Sequence, residues 1–415
     1  MKAVLLGYGI ENQSIVSYLS VIGFFETMVC HMEDSPLIDT ETDGLSHRAY
    51  DFELIKSFEP NLIIRSPGIS IYSDELIALK QLSCEITTST GYWLKCNTRQ
   101  ITIGVTGTKG KSSTANFIFK LLGDSAELAG NIGLPVWNMN SATKYVVLEL
   151  SSFMTSDLLV STDYAILTTL SSEHLDWHRN QSNYINDKLN LFETKNNSGK
   201  FPISFAPKDL HTILSFDYLF DLATPDWFSE LARDMPAHIA YDLFMALEVV
   251  EKITNRSVDQ EVVEKIINEY KPLKGRMRTV YKGRNTWIDD TLSSNPFGTS
   301  AAVSSIENSK DLVLIVGGKS RGVSLGELKK ALNVRDGKTT LIGISQCGKE
   351  YLKELDFPKS KYFMNLKDAI DHVSENFKDA AVLFSPAAPT PKGEGNWEKR
   401  SDLFEKLVLG VENLV

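Results

Sequence analysis

Residues 101–122 read ITIGVTGTKGKSSTANFIFKLL, and this stretch decides the fold. A buried apolar run at 101–105 enters a turn of glycine and lysine, and a helical pattern follows from 114 to 122. Glycines let backbone N–H groups turn around phosphate oxygens, and the N-terminus of a helix favours an anion. The stretch therefore predicts a nucleotide-phosphate loop between a strand and a helix.

The residues of this loop have separate predicted roles. Lys111 neutralises the β- and γ-phosphates of ATP, and Ser112 reaches Mg²⁺. The general pattern GxxxxGK[ST] is met only in part, because its first glycine falls at Val105. The other predicted ATP-binding residues of the loop are Gly107, Thr108, Lys109, Gly110 and Ser113.

Strand and helix patterns alternate along the whole chain, which is typical of parallel α/β folds. The chain opens with a buried strand, a glycine turn at 7–9 and a helix. A length of 415 residues is too long for one ordinary core, so two or three domains are expected. We place the boundaries near Asn97 and Pro272, which gives α/β domains at 1–97, 98–272 and 273–415.

Composition and charge exclude several classes of protein. The formal charge of −10 disfavours broad binding to nucleic acid or to anionic membranes, because a negative field repels both. No stretch approaches the roughly 20 apolar residues that cross a bilayer. The cysteines Cys30, Cys84, Cys96 and Cys347 form neither a CxxC pair nor a disulfide framework. We therefore expect a cytoplasmic protein that acts on small molecules.

The phosphate loop resembles the form used by Mur ligases and folylpolyglutamate synthases, and later segments resemble the Mur ligase family in the same order. The matching segments are GNIG at 130–133, LELSSF at 148–153, SEHLD at 172–176, Lys188 in DKL, Arg276 in KGRM, and Asp290 in WIDDTLSSNP. The resemblance spans nearly the whole chain. It implies an ATP-dependent amide ligase that forms an acyl phosphate.

The family assigns roles to the matching positions. Its catalytic residues correspond to Lys111, Glu149, His174 and Lys188. Its ligands for Mg²⁺, with two ions expected, correspond to Ser112, Glu149, His174 and a carbamylated Lys188. Arg276 and Asp290 would contact ATP from the third domain. The family also implies a Rossmann-like UDP-binding first domain, a central ATPase domain, a Rossmann-like third domain and a monomer.

The N-terminal segments resemble the glutamate-adding members of the family, which act on UDP-N-acetylmuramoyl-L-alanine in peptidoglycan synthesis. The residues that would bind the UDP-linked substrate are Gly9, Ile10, Ser66, Pro67, Gly68 and Asn131. The third domain departs from this pattern, since Leu292 stands where the family has a lysine and the stretch 389–397 differs. The candidates for binding the amino acid are Ser294, Arg321, Thr390 and Trp397.

Alternatives stay open at this point. A related ligase would use another amino acid, such as L-glutamate, or another sugar nucleotide. Folate-type ligation is disfavoured by the extra N-terminal domain, and a non-catalytic relative is disfavoured because the four catalytic positions are retained. His174 and His178 lack the glutamate of an HExxH zinc site, and the turn at 7–9 lacks the last glycine of a GxGxxG dinucleotide site.

Overall fold

The computed structural model describes residues 1–412 except 33, 34, 36, 43, 141, 172, 211, 214, 222, 234, 271–273, 320–323 and 392. The chain divides into two compact units, Met1–Asn268 and a second that begins at Glu269. The first unit contains two sheets and the second contains one. The division into three domains stays a prediction, and its second boundary lies outside the described residues.

The first sheet explains why two turns of the N-terminal region lie side by side. Its order is β3-β4-β2-β1-β5-β6, and its strand pairs are parallel except β3 with β4. The chain runs outward from β1 on one side and returns to β5 on the other, so β1 and β5 flank a topological switch point. The strands are Lys2–Leu6 (β1), Glu26–His31 (β2), Thr40–Thr42 (β3), Leu45–Ala49 (β4), Leu62–Arg65 (β5) and Glu85–Thr88 (β6). The helices are Ile10–Val21 (α1), Phe52–Phe58 (α2), Asp74–Leu79 (α3) and Ser89–Cys96 (α4).

The second sheet is parallel throughout and has the order β12-β11-β10-β7-β9-β8. Its central strand β7 therefore ends between β9 and β10, where all three carboxyl ends point the same way. The strands are Ile101–Thr106 (β7), Ala126–Gly130 (β8), Tyr145–Glu149 (β9), Tyr164–Leu167 (β10), Ile203–Pro207 (β11) and Tyr218–Phe220 (β12). The helices are Lys111–Leu122 (α5), Ser152–Thr155 (α6), Leu175–His178 (α7), Gln181–Glu193 (α8), Asp226–Leu231 (α9), Ala237–Thr254 (α10) and Gln260–Asn268 (α11).

The third sheet has the order β13-β14-β18-β15-β16-β17, with β13 antiparallel to β14. The strands are Arg278–Lys282 (β13), Thr286–Asp289 (β14), Leu312–Val316 (β15), Thr339–Ile344 (β16), Ser360–Phe363 (β17) and Ala381–Phe384 (β18). The helices are Pro296–Ser305 (α12), Gly326–Asn333 (α13), Ser345–Leu355 (α14), Leu366–Asn376 (α15) and Trp397–Glu412 (α16). The buried strands β15 and β18 form its centre. The predicted α/β class with mostly parallel sheets is confirmed.

No helix in the described part of the chain combines the length and the apolar character that crossing a membrane requires.

Candidate active site

The phosphate loop is held in place by the end of β10. Thr108 N donates to Thr169 O at 2.8 Å, and Lys109 N donates to Thr169 Oγ1 at 2.7 Å. Gly107 has φ +147°, and a Cβ there would collide with Thr168 Oγ1, so the close approach requires glycine. The helix α5 begins at Lys111, three residues before the start predicted from the sequence. The loop thus leads directly into a helix N-terminus, which suits a phosphate.

Two lysines supply positive charge at this loop. Lys111 Nζ donates to Thr108 O at 3.0 Å, which folds its side chain back over the loop. Lys109 Nζ lies 3.1 Å from Glu173 Oε1. Burial alone would raise the pKa of Glu173, but Lys109, His174 and Lys111 outweigh it and lower that pKa to about 2. Glu173 was missed in the sequence, although it lies within the SEHLD segment.

Glu149 ends β9 with one carboxylate oxygen satisfied and one not. Its Oε1 accepts from Asn131 Nδ2 at 2.9 Å. Its Oε2 is buried and has no hydrogen-bond partner among the described residues. A buried carboxylate oxygen without a partner is costly, whereas a cation would satisfy it. Glu149 therefore fits the predicted role of a Mg²⁺ ligand.

The remaining ligands of such an ion cannot be carboxylates and imidazoles alone. Across the described ranges, no three His, Cys, Asp or Glu side chains are arranged to hold a metal ion. The hydroxyl of Ser112, buried in the first turn of α5, is a suitable oxygen donor. A carbamylated Lys188 would add a further carboxylate. The chemistry of this donor set fits Mg²⁺.

Lys188 is buried and lies against the phosphate loop. It is 2% exposed, and its Nζ donates to Gly107 O at 2.7 Å and lies 4.8 Å from the centre of the Tyr184 ring. Burial, and then the positive charge of Lys111, hold the pKa of Lys188 well below its usual value. A lower pKa favours the neutral amine, which is the form that reacts with CO₂ to give a carbamate. Lys188 is therefore a buried side chain and not a solvated surface lysine.

His174 precedes α7 in a left-handed conformation with φ 54°. Burial lowers the pKa of its imidazole to about 4, opposed by Glu173 and assisted by Lys188 and Lys111. The ring is therefore neutral near pH 7 and has a lone pair available for a metal ion. The mutual effects on pKa bring His174, Lys188, Lys111 and Glu149 into one electrostatic cluster at the carboxyl ends of β7, β9 and β10.

The two turns predicted to bind the UDP-linked substrate meet at the switch point of the first sheet. Asn12, which the sequence did not single out, donates from Nδ2 to Gly7 O at 3.0 Å and to Ser66 Oγ at 3.3 Å. Gly9 caps α1 and the side chain of Ile10 is exposed. Pro67 and Gly68 continue the turn after β5. Asn131 instead contacts Glu149 in the second sheet.

In the second unit, the turn that carries Arg276 lies beside Asp290. Asp290 Oδ1 accepts from Met277 N at 3.3 Å, and its Oδ2 accepts from Ser385 Oγ at 2.7 Å. A Cβ on Gly275 would come within 3.0 Å of the Trp397 ring, so this turn packs on the start of α16. Ser294 and Thr390 occupy half-buried loop positions. Arg321 lies outside the described residues, so its role stays a prediction.

Comparison with known proteins shows which family the chain resembles. Residues 105–216, which contain the phosphate loop, Glu149, His174 and Lys188, match the Mur ligase middle domain. A UDP-N-acetylmuramoylalanine--D-glutamate ligase of Francisella tularensis subsp. holarctica is 27% identical over 440 residues, covering 99% of this chain and 96% of that protein. The chain is therefore similar to Mur ligases in its middle region and, at 27% identity, over nearly its whole length. It is an ATP-dependent amide ligase.

The Mur ligases that this chain resembles differ in the amino acid they are named for. A UDP-N-acetylmuramoyl-L-alanine--L-glutamate ligase of Salinispora tropica is 29% identical over 381 residues, covering 84% of this chain and 83% of that protein. Among solved structures, the MurF ligase of Thermotoga maritima in complex with ADP aligns with a TM-score of 0.59 at 14% identity. That alignment covers 100% of this chain and 95% of the other, and it supports the fold.

Proposed function

We propose that this Mur ligase joins glutamate to UDP-N-acetylmuramoyl-L-alanine with ATP, as a step of peptidoglycan synthesis and as a monomer. The observation that carries the proposal is the unpaired buried Oε2 of Glu149 within one cluster with Lys111, His174 and Lys188. This arrangement suits the transfer of a phosphoryl group to a carboxylate, since both substrates are anionic and cations must lie between them.

The first step activates the acceptor. The backbone of residues 107–110 and the side chain of Lys111 bind the phosphates, so that the γ-phosphorus faces the incoming carboxylate. A carboxylate oxygen attacks that phosphorus, the bond to ADP breaks, and an acyl phosphate forms. Ser112, Glu149, His174 and carbamylated Lys188 would hold Mg²⁺, which neutralises charge that develops on the phosphate oxygens. The ion pair between Lys109 and Glu173 helps to hold the loop.

The second step forms the amide bond. The neutral amine of the amino acid attacks the acyl carbon, a tetrahedral intermediate forms, and it expels inorganic phosphate while the nitrogen loses a proton. Arg276 and Asp290 would also bind ATP, as the resemblance to the family implies. Ser294, Arg321, Thr390 and Trp397 would bind the amino acid, and the turns at 7–10 and 66–68 would bind the UDP moiety. These assignments follow from the resemblance of the segments to the family.

A second candidate is addition of L-glutamate instead of D-glutamate. The observation that favours it is the 29% identity to the L-glutamate ligase of Salinispora tropica, which is similar to the identity with the D-glutamate ligases. The changed third domain, in which Leu292 stands at the position of a family lysine, also permits a different amino acid.

The test is phosphate release from ATP by the purified protein with Mg²⁺ and UDP-N-acetylmuramoyl-L-alanine. D-glutamate, L-glutamate and the other amino acids are supplied one at a time, and the product is weighed by mass spectrometry. We expect phosphate release with only one enantiomer of glutamate. With that enantiomer, the mass of the acceptor should increase by one glutamate residue. An adduct with another amino acid would redirect the substrate assignment, and no turnover with any of them would refute the proposed acceptor.

A further inference from the structure

A chain of hydrogen bonds runs through the interior of the first unit beside the candidate active site. Ser152 Oγ lies 2.9 Å from His178 Nε2, and His178 Nδ1 lies 2.6 Å from Asp187 Oδ2. Tyr72 donates its hydroxyl to Asp187 Oδ1 at 2.9 Å. Because a carboxylate only accepts, Nδ1 of His178 carries a hydrogen, and Nε2 shares the hydrogen bond with the hydroxyl of Ser152. Each polar group in the chain is thereby satisfied.

The order of groups matches the Ser-His-Asp arrangement of hydrolases, but the burial does not. Ser152 is 3% exposed, His178 is fully buried and Asp187 is 6% exposed. A substrate cannot reach a hydroxyl enclosed in this way, so the arrangement does not act as a nucleophilic triad. This chain of hydrogen bonds must therefore act through the backbone segments that it joins.

Three members of this chain of hydrogen bonds, Ser152, His178 and Asp187, are each close in sequence to one predicted metal ligand. Ser152 opens the short helix α6, three residues after Glu149, and His178 ends α7, which His174 precedes. Asp187 immediately precedes Lys188 in α8. The hydrogen bonds therefore tie together the three backbone segments that carry Glu149, His174 and Lys188, although those segments come from different parts of the sequence.

Tyr72 extends the chain to the turn predicted to bind the acceptor. It lies in the loop after β5, a few residues beyond Ser66 and Gly68 of the same loop. Two further hydrogen bonds hold this loop: Trp177 Nε1 donates to Gly68 O at 3.1 Å, and Ser70 Oγ donates to Trp177 O at 2.6 Å. Residues 68–72 are thus fastened to the segment between His174 and Lys188 at three points.

We propose that Ser152, His178, Asp187 and Tyr72 are positioning residues, which set the relative positions of Glu149, His174 and Lys188 and couple them to the acceptor loop. This inference rests on the proposed function for the role of Mg²⁺. Movement of the loop on acceptor binding is transmitted by Tyr72 to Asp187, and from there to the neighbouring Lys188 and to α7. The ligand set for Mg²⁺ is therefore complete only when the acceptor loop is in its bonded position.

The test removes one hydroxyl. Tyr72→Phe keeps the ring and deletes the donor to Asp187, while Tyr50→Phe is the matched control, since Tyr50 donates to Glu75 O at 3.4 Å elsewhere in the same unit. Calorimetry measures binding of a non-hydrolysable ATP analogue over a series of MgCl₂ concentrations. Steady-state assays measure kcat and the KM values for ATP and acceptor, and thermal melting measures stability.

We expect Tyr72→Phe to raise the Mg²⁺ concentration for half-maximal effect on analogue binding about threefold or more and to lower kcat about tenfold. The KM for ATP should stay within about twofold, and Tyr50→Phe should match the wild type. Asp187→Asn should show the same change, and the double variant Tyr72→Phe/Asp187→Asn should be no worse than Asp187→Asn alone, because both act through one bond.

An unchanged Mg²⁺ dependence in Tyr72→Phe, with or without a lower melting temperature, would overturn the inference, since a merely structural hydrogen bond affects stability alone. Additive losses in the double variant would overturn the coupling through Asp187. A wild type that binds the Mg²⁺-dependent analogue but ligates no amino acid would refute the proposed function instead, and the binding series would still decide the positioning role.

Discussion

Replacing Lys188 by methionine should stabilise the unmodified protein at neutral pH while abolishing ligation. In the wild type, folding buries the amine with one hydrogen bond, to Gly107 O, and burial holds its pKa well below the usual value. Methionine has a similar volume and needs no hydrogen-bond partner. Each unit by which burial lowers the pKa of Lys188 corresponds to about 1.4 kcal/mol of destabilisation of the folded state. The hydrogen bond to Gly107 O, which methionine removes, contributes only about 1 kcal/mol to the free energy of unfolding. The variant should therefore be more stable by about 1–3 kcal/mol, the cost of a poorly satisfied buried polar group.

The pH dependence of this difference gives the sharper test. Between the folded pKa and the unfolded value near 10.5, the unfolded chain binds one more proton at Lys188 than the folded chain. Stability of the wild type therefore rises with pH through that window, and Lys188→Met lacks this rise. The advantage of the variant should be constant below the folded pKa, shrink as the pH increases above it, and reverse by about 1 kcal/mol near pH 10.5.

The assay is urea denaturation followed by tryptophan fluorescence at intervals from pH 6 to about 10, in buffers free of CO₂ and Mg²⁺. Lys80→Met, at an exposed lysine that ends α3, is the control and should leave the curve unchanged. Phosphate release by Lys188→Met should fall to background. A wild type that is more stable than the variant at pH 7, or a difference that is flat across the pH range, would refute the reasoning.

Other variants test the remaining parts of the site. Glu149→Gln should lower turnover about 100-fold or more at fixed Mg²⁺, since several kcal/mol of charge stabilisation are lost, and a phosphate-release assay against Mg²⁺ concentration would show whether excess metal restores it. Gly107→Ala should destabilise the first unit by about 1–3 kcal/mol and abolish calorimetric binding of nucleotide, because of the strained φ and the collision of its Cβ. Arg65→Met leaves Asp157 without its bidentate partner at 2.7 Å and should cost about 3–5 kcal/mol in urea denaturation, against about 0–1 kcal/mol for Arg48→Met, whose ion-pair partner Glu41 is exposed.

Part of this fold is readable from the sequence because burial leaves a pattern. Strands such as β7 and β15 are apolar runs between turns, and the loop from Gly107 to Ser113 has its own composition. The edge strand β17 escapes such analysis, since its side chains are largely exposed and its apolar content is low. The antiparallel strand β13 escapes for the same reason. Edge strands are therefore where prediction from periodicity fails.

The candidate site divides in a similar way. Lys111, Glu149, His174 and Lys188 lie in motifs and could be proposed from the sequence, but the environment of each could not, because it depends on residues distant in the chain. Tyr72 and Asp187 are 115 positions apart, and no local pattern connects them. The unpaired Oε2 of Glu149 and the burial of Lys188 likewise depend on how the folded chain packs, which no local pattern shows. The sequence suggests candidate reacting groups, whereas their burial and neighbours depend on the fold.

The contacts that hold the phosphate loop come from later parts of the chain, which affects when the loop takes its shape during synthesis. The loop leaves the ribosome before its supports do, since Lys109 and Thr169 are 60 positions apart and β10 is the strand that completes its cradle. Gly110 also lies against Asp242 of α10, which is synthesised later still. A nascent chain that stops between these points has the motif without the geometry. The full set of contacts that shape the loop is therefore available only after α10 has been synthesised.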